Sequence, residues 1–413
     1  MKILIVNTSD SSGGAARAAY RLYQALDAQA DVEVAVLVQK KNSDDYKVLA
    51  PPSKWDKLGA LLHPTIDQLL TRWYKHKTRT LFSPAWISNG KILKLIKRYD
   101  PDIVHLHWIN GGMLKIEDLA KIDKPLVWSL HDMWAFTGGC HYDEGCAGYT
   151  RQCGHCKVLG STKTNDLSRK IYKRKEKTYS NIPNLTMIGL SRWIMQCSQN
   201  STLLGSRKHL NLPNPIDTTF YKPFAKKEAR ELWNLPQDKK LILFGAMNAT
   251  GDKRKGFKEL SDALHHIKSD EIELIVFGSS KPRNPPKFGF TTHYVGQLYD
   301  DVSLVTLYSA ADVMVVPSLQ ENLSNAIMES LSCGTPVVAF DIGGNGDMIE
   351  HQLNGYLAKP FEAKDLARGI EWVLEYEEHD SLCRHAREKV VREFDSRVVA
   401  RKYIELYREC LRG

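Results

Sequence analysis

One stretch, residues 313–344, constrains the fold more than any other part of the chain. An apolar run from Val313 to Val316 leads into a polar loop, and a helix is predicted to begin after Ser324 as its N-cap and to end at Gly334. A second apolar run, Pro336 to Phe340, follows. This pattern predicts a strand–helix–strand unit of a parallel sheet, and such sheets bind ligands beyond the carboxyl ends of their strands.

Two carboxylates in this unit are placed to accept hydrogen bonds from hydroxyl groups. Glu321 lies in the polar loop and Glu329 lies in the helix, so both are predicted to face one crevice. The free N–H groups of Leu323, Ser324 and Asn325 would point at an anion bound there. Because two carboxylates repel a bare phosphate, a nucleotide sugar fits better, with its diphosphate between two sets of hydroxyls. The alternative is an ordinary amphipathic crossover helix with two solvated acids.

The spacing and flanks of the two glutamates resemble a known family. Glu321 and Glu329 are followed by Cys-Gly-Thr-Pro-Val-Val-Ala, which begins at Cys333, and by the Gly343-Gly344 loop. This resembles the retaining GT-B glycosyltransferases of glycosyltransferase family 4. The resemblance implies an α/β fold with two Rossmann-like parallel-sheet domains that face an inter-domain cleft. It also implies transfer of a sugar from a nucleotide-diphosphate sugar to a hydroxyl acceptor in polysaccharide or glycolipid assembly.

Length and charge agree with this expectation. A chain of 413 residues suits two domains of about 200 residues each. We predict an N-terminal domain over residues 1–212, a nucleotide-sugar-binding domain over 213–394, and a final helix over 395–413 that crosses back to the first domain. No apolar run reaches the ~18 residues of a membrane span, and the first residues read as a strand, so the protein is expected to be cytoplasmic.

The net charge of +9 fits either an anionic substrate or the anionic inner face of a membrane. No nucleic-acid-binding motif is present in the sequence, so no nucleic-acid partner is expected.

A glycine pair follows the first predicted strand. Lys2 to Asn7 leads into a loop of small residues that contains Gly13 and Gly14, and a helix follows. Small residues at such a turn let the backbone approach a phosphate closely. The chain lacks Gly-x-Gly-x-x-Gly, and its second strand ends in basic residues, which argues against NAD. The resemblance implies that Gly13 and Gly14 lie over the diphosphate and the acceptor.

Histidines occur at two strands of the first half. His131 follows the apolar run Pro125 to Leu130, at a predicted carboxyl end. The resemblance implies that His131 contacts the donor sugar near the reacting carbon. The alternative is a capping or otherwise satisfied polar pair with Asp132. His105 and His107 alternate with apolar residues, so one is predicted to line the site and the other to be buried, and neither is predicted to be catalytic.

Cations for the diphosphate are expected in the second half. Lys255-Gly256 matches the lysine and glycine that the family places before a helix. The family's Gly-Arg pair is absent, because Gly245 is followed by Ala246, so Arg254 is proposed to fill in. The alternative is a solvated basic loop. Leu298 ends a short strand that resembles the loop around the nucleotide base.

The resemblance assigns roles to these residues. Glu321 and the amides of Asn322, Leu323 and Ser324 would hold the sugar, and Glu329 would bind the ribose. Since cations and amides would take the place of a divalent metal ion, no catalytic metal is expected. His131 and Glu321 are the predicted catalytic residues. The remaining predicted donor-binding residues are Gly13, Gly14, Arg254, Lys255, Leu298 and Asn325.

The donor is expected to be UDP- or GDP-linked, and the hydroxyl acceptor is expected to be a polysaccharide or a lipid-linked sugar. Direct same-face displacement is implied by the resemblance, because no side chain stands out as a covalent nucleophile. A nucleotide-sugar epimerase on the same fold and a non-catalytic nucleotide-sugar-binding protein are the alternatives.

Half of the chain's cysteines lie in one insert, residues 140–156. They are Cys140, Cys146, Cys153 and Cys156. In a cytoplasmic protein such clustering favours metal binding, so the sequence predicts a structural Zn²⁺ site with four thiolates. Four reduced thiols, or two disulfides in an oxidising compartment, are the alternatives.

Residues 53–89 combine apolar residues at helical spacing with many basic residues. One interpretation is peripheral contact with an anionic membrane. The other, which the sequence alone favours, is an amphipathic helix packed on the sheet with a solvated basic face.

Overall fold

The computed structural model describes residues 1–245, 253–278, 288–298 and 300–412. The chain divides into two compact units. Unit 1 comprises Met1–Pro215 together with the chain from Val399 onward, and unit 2 comprises Ile216–Val398.

Unit 1 is built on a parallel sheet, and most of its strands are short apolar runs with β-branched residues. Along β1, Leu4 and Val6 pack into the core on one face of the sheet, while Ile3 and Ile5 pack into the core on the other. The strand order is β3-β2-β1-β4-β5-β6-β7, so β1, β4 and β5 are neighbours. The strands are β1 (Lys2–Ser9), β2 (Glu33–Lys40), β3 (Val48–Leu49), β4 (Ile103–Leu106), β5 (Leu126–Leu130), β6 (Leu185–Gly189) and β7 (Lys208–Asn211).

Helices follow most of these strands and cover the sheet. They are α1 (Gly14–Asp27), α2 (Lys54–Asp67), α3 (Gly90–Tyr99), α4 (Leu167–Tyr179) and α5 (Arg192–Gln199). Four 3₁₀ segments are Gln68–Trp73, Ile116–Lys121, Trp134–Phe136 and Gly148–Arg151.

Unit 2 repeats the architecture with a parallel sheet in the order β10-β9-β8-β11-β12-β13. Its strands are β8 (Lys240–Gly245), β9 (Ile272–Phe277), β10 (Thr292–Gly296), β11 (Val313–Val316), β12 (Val337–Phe340) and β13 (Gly355–Ala358). Its helices are α6 (Lys226–Leu232), α7 (Phe257–Leu264), α8 (Asp301–Ala310), α9 (Asn325–Ser332), α10 (Asn345–Met348), α11 (Ala363–Glu375) and α12 (His379–Glu393). The 3₁₀ turn Lys253–Lys255 precedes α7.

The strand–helix–strand unit predicted from residues 313–344 is confirmed. It consists of β11, α9 and β12, and β11 and β12 pair in parallel. Ser324 is the N-cap of α9, and its hydroxyl accepts a hydrogen bond from the N–H of Ile327. Gly334 follows the helix with a φ of 77°, a conformation that favours glycine.

The last helix, α13 (Ser396–Arg412), contributes to the core of unit 1. Val399, Tyr403 and Tyr407 are buried in the same cluster as Ile3 and Ile5 of β1. Of the helices that the structure describes, none is long and apolar enough to cross a membrane.

Candidate functional site

In unit 2, an ion pair lies at the carboxyl ends of two neighbouring strands. Because β8 and β11 are adjacent and parallel, the segments that follow them meet. The N–H of Leu319 donates to the carbonyl of Arg254 at 2.8 Å, which joins the two segments. The Lys255 ammonium then lies 3.0 Å from Oε2 of Glu321, and the hydroxyl of Ser318 donates to the same oxygen at 3.2 Å. The structure thus brings together a predicted cation and a predicted catalytic carboxylate.

Two glycines allow this close packing. Gly256 has a φ of +69°, and a side chain there would clash with the carbonyl of Pro317. Gly343 has a φ of +54°, and a side chain there would clash with the carbonyl of Glu321. The glycines of the Lys-Gly and Gly-Gly motifs are therefore required by the backbone that holds Glu321.

The two glutamates of the motif have different surroundings. The side chain of Glu321 is partly exposed, whereas Glu329 is only 2% exposed and accepts a hydrogen bond from the hydroxyl of Tyr308 at 3.0 Å. The expectation that both line one open crevice does not fit this burial, because α9 turns Glu329 inward against α8. The ribose-binding role of Glu329 stays a prediction.

The other predicted donor-binding residues of unit 2 are distributed around this pair. Asn322, Leu323 and Ser324 are buried at the start of α9, and Asn325, its first residue, is partly exposed. Arg254 is exposed, and its carbonyl belongs to the contact with Leu319.

Leu298 lies after β10, the strand at the edge of the sheet, and is partly exposed. The position after Gly245 where the family has arginine lies outside the described residues.

In unit 1, the predicted glycine loop follows β1. Gly13 is the N-cap of α1 with a φ of 93°, and Gly14 is the first helical residue. The buried carboxylate of Asp10 accepts hydrogen bonds from the N–H groups of Asn42 and Ser43, so it ties this loop to the segment after β2. Burial alone would raise the pKa of Asp10, yet the hydrogen bonds from Ser43 and Asn42 lower it below its ordinary value.

His131 is paired with a second histidine. Because β4 and β5 are neighbours, Nδ1 of His107 and Nε2 of His131 lie 2.8 Å apart at their carboxyl ends. Burial lowers the pKa of His131 to about 4 and places that of His107 well below its ordinary value. Both rings are therefore neutral near pH 7, so one of the facing nitrogens donates the hydrogen bond and the other accepts it.

Nε2 of His107 has no hydrogen-bond partner in the described part of the chain. The sequence did not predict that His107 would contact His131. The available signal was the alternation at β4, which places His105 and His107 on the same face of the sheet.

Asp132, the residue after His131, is held by a second network of polar side chains. The carboxylate of Asp132 accepts a hydrogen bond from the indole N–H of Trp108 at 3.0 Å and lies 2.6 Å from Nδ1 of His141. Burial works to raise the pKa of Asp132, but the interaction with His141 lowers it. Nε2 of His141 is 2.8 Å from the hydroxyl of Ser83. This network fixes the turn that carries His131.

His105 has a structural role that fits the prediction for a buried member of the pair. Its Nδ1 lies 2.7 Å from the hydroxyl of Tyr407 in α13, and its Nε2 lies 2.8 Å from that of Ser129. Burial lowers its pKa to about 3.

The four clustered cysteines are all free thiols. The N–H of Gly138 donates to Sγ of Cys153 at 3.1 Å, and burial raises the pKa of Cys153 to about 12 and that of Cys156 to about 11. Within the described ranges, no three His, Cys, Asp or Glu side chains are grouped so that they could hold a metal ion. The placement of Cys140, Cys146, Cys153 and Cys156 therefore does not support the zinc site. That site stays a prediction, which metal analysis of the purified chain tests.

Two family descriptions match separate parts of the chain. Residues 12–176 match Glycosyltransferase Family 4, and residues 238–376 match Glycosyl transferases group 1. Together with the two parallel-sheet units, these matches define the class as a GT-B glycosyltransferase. More particularly, the first half of the chain is similar to the glycosyltransferases of family 4 and the second half to those of group 1.

Solved structures with the same architecture cover the whole chain. The sucrose-phosphate synthase of Thermosynechococcus elongatus has a TM-score of 0.69 at 20% identity, over 99% of this chain and 98% of that one. HepE of Anabaena, in complex with UDP, has a TM-score of 0.65 at 17% identity, over 99% of this chain and 100% of that one. At these identities the likeness shows the GT-B fold.

Two relatives of known name are similar in sequence. The N,N'-diacetylbacillosaminyl-diphospho-undecaprenol alpha-1,3-N-acetylgalactosaminyltransferase of Campylobacter jejuni is 29% identical over 195 residues, which is 46% of this chain and 50% of that one. The phosphatidyl-myo-inositol mannosyltransferase of Mycobacterium leprae is 23% identical over 377 residues, which is 90% of this chain and 89% of that one.

Proposed function

We propose that the chain transfers a sugar, with retention of anomeric configuration, from a UDP- or GDP-linked donor to a hydroxyl group of a lipid-linked or polysaccharide acceptor. The observation that carries this proposal is the Lys255–Glu321 pair, which lies one short loop before the amino end of α9. A cation, a hydroxyl-binding carboxylate and helix N–H groups together match a diphosphate joined to a sugar. The names of the two relatives, which include lipid substrates, and the UDP bound to HepE support the substrate classes.

Unit 2 would stabilise the leaving group. Negative charge builds on the diphosphate as its bond to the sugar breaks, and the Lys255 ammonium and the N–H groups at the start of α9 would stabilise that charge. Glu321 would accept hydrogen bonds from sugar hydroxyls once Lys255 turns from the carboxylate to the phosphate. Arg254 and the amides take the place of a divalent metal ion in this proposal, and Leu298 lies against the base.

Unit 1 would contribute neutral groups. His131, kept uncharged by its low pKa, would hydrogen-bond the sugar without repelling a developing positive charge at the anomeric carbon. The N–H groups of Gly13 and Gly14 would approach the diphosphate and the acceptor. The acceptor hydroxyl would attack from the face that the diphosphate leaves, which retains the configuration.

We place the reaction in the cytoplasm at the inner face of an anionic membrane, because a lipid-linked acceptor would be held there.

The test is to incubate the chain with UDP- and GDP-sugars, with and without a polyprenyl-diphosphate-linked sugar, and to measure nucleotide release. We expect release that depends on the acceptor, and a product whose anomeric configuration by NMR equals that of the donor. An inverted product would exclude the retaining mechanism. Conversion of the donor to its epimer would favour an epimerase, and donor binding without release would favour a binding protein.

A further inference from the structure

Large apolar side chains point into solvent along α2 and the 3₁₀ segment that follows it. Trp55 is 80% exposed, Leu61 is 63% exposed and Trp73 is 86% exposed. Leu58, Leu62 and Leu69 are exposed as well. Single exposed apolar residues are ordinary, but a contiguous group of this kind marks an interaction surface.

These side chains are not used to hold the helix in the fold. Trp55, Leu58 and Leu62 follow one another at three- and four-residue spacing, so they form one stripe on the outer side of α2. The buried residues of α2 are Ala60 and Asp67.

Polar contacts attach α2 to the rest of unit 1. Ser53 and Asp56 form a capping box at its start, and the carboxylate of Asp67 accepts hydrogen bonds from the N–H groups of Ala85 and Trp86. The apolar side of α2 was expected to pack on the sheet. In the structure that side faces solvent instead.

The same segment is strongly basic. Its exposed cations are Lys54, Lys57, Arg72, Lys75, Lys77 and Arg79. Between residues 46 and 99 the sequence has two acids, Asp56 and Asp67. Asp56 is paired with Lys91 at 2.8 Å, and Asp67 is buried. We call residues 54–79 the basic–apolar surface.

We propose that the basic–apolar surface binds the face of an anionic phospholipid bilayer. Tryptophan and leucine side chains suit the boundary between headgroups and acyl chains, and lysine and arginine suit the anionic headgroups. A protein partner that matched this surface would need both an apolar groove and a dense acidic rim, whereas an anionic bilayer supplies both properties everywhere. The proposal gives a location to the membrane contact in the proposed function, but it rests on this surface and not on the transfer chemistry.

A groove of about 410 Å³ lies beside the surface and extends it. Trp55, His63 and Lys94 are among the residues that line it. The groove would admit a phosphate headgroup next to the inserted indole ring of Trp55, with Lys94 as its cation.

The test is co-sedimentation of the full chain with vesicles, without any nucleotide sugar. One set of vesicles contains phosphatidylcholine alone and the other contains phosphatidylcholine with phosphatidylglycerol. We expect binding to the anionic vesicles that weakens as salt is raised. The double variant Trp55→Ser/Trp73→Ser should lower the partition constant about tenfold or more, and Lys54→Gln/Lys57→Gln should lower it about fivefold for each lysine.

Exposed apolar residues of unit 2 provide a control. Leu232 is 67% exposed and Val302 is 62% exposed, so Leu232→Ser/Val302→Ser removes two exposed apolar side chains from another part of the chain. This control should bind like the unmodified chain, and thermal melts should show that all variants fold.

Equal binding to both kinds of vesicle, or equal loss in the control, would overturn the proposal. So would a dimer in solution that the tryptophan variant abolishes, because a second copy would then cover the surface. Because no donor or acceptor is present, failure here leaves the proposed transfer reaction untouched, and failure of transfer leaves the lipid binding untouched.

Discussion

The two units place different chemistry at the same part of similar sheets. Beyond β8 and β11 in unit 2, a lysine and a glutamate form a partly exposed ion pair. Beyond β4 and β5 in unit 1, two imidazoles face each other, and burial keeps both neutral near pH 7. Parallel sheets thus supply a place for a ligand, while the residues after each strand decide whether that place attracts charge or only forms neutral hydrogen bonds.

The largest expected effect concerns the charged pair of unit 2, Lys255 and Glu321. Glu321→Gln keeps the size of the side chain but removes the charge that pairs with Lys255. In the proposed reaction the same charge accepts hydrogen bonds from sugar hydroxyls. We expect kcat to fall by about 10²–10³-fold, with thermal stability nearly unchanged. Steady-state kinetics with the best donor measure this. Turnover close to that of the unmodified chain would remove Glu321 from catalysis.

Lys255→Met is a second test of the charged pair in unit 2. Loss of the cation should lower kcat/KM by about 10²-fold, because the charge on the leaving diphosphate would be less stabilised. Lys258→Met is the matched control, since Lys258 lies nearby in α7 and forms a surface ion pair with Asp262 at 2.7 Å. If the control lost as much activity as Lys255→Met, the effect would be one of overall charge.

His107→Ala tests the pair of neutral imidazoles in unit 1. In the proposed reaction His107 acts through His131 as a positioning residue. Its loss should then lower kcat by about tenfold with little change in KM, and less than His131→Ala does.

The pH profile provides the second readout for this pair. Because the pKa of His131 is about 4, its protonation should not appear in kcat/KM above about pH 5. In His107→Ala, water can reach His131, so its pKa should rise toward the ordinary value of 6.5 and a new acidic limb should appear. An unchanged profile together with normal kcat would show that His107 is only a packing residue.

A separate test, of stability instead of turnover, concerns a buried lysine in unit 1. Lys175 is fully buried, its ammonium donates to the carbonyls of Trp134 and Thr137, and burial lowers its pKa to about 7 from 10.5. In the unfolded chain the lysine keeps its proton up to about pH 10, so between about pH 7 and pH 10 the unfolded state binds more protons than the folded state.

The free energy of unfolding should therefore rise with pH in this window, by about 1.4 kcal/mol per pH unit relative to Lys175→Met. Denaturant titrations of both chains at several pH values measure the difference. A difference that stays constant across the window would mean that Lys175 titrates normally.

Much of the fold could be predicted from local patterns. Strands β1, β5, β11 and β12 follow from apolar runs, and the start and end of α9 follow from Ser324 as a cap and from Gly334 as a stop. These patterns were readable because each depends on residues close together in the sequence. The sequence predicted that Lys255 and Glu321 belong to one site, but it did not predict the ion pair between them. The resemblance identified the two residues and gave no distance between their side chains.

Three features needed the structure. The contact between His107 and His131 depends on the order of β4 and β5, the burial of Glu329 depends on its partner in α8, and the exposed stripe of α2 depends on what attaches the helix. Amphipathic spacing shows that a helix has two faces, but the pattern is the same whether the apolar face turns inward or outward.

Local patterns in the amino-acid sequence were enough to predict the alternation of strands and helices and to find the motif that resembles the glycosyltransferases of family 4. The folded arrangement was needed to show which imidazoles meet, which glutamate is partly exposed and which side of α2 faces solvent. The physical reason is range: caps, turns and apolar periodicity act within a few residues, whereas burial and side-chain pairing depend on groups far apart in the chain.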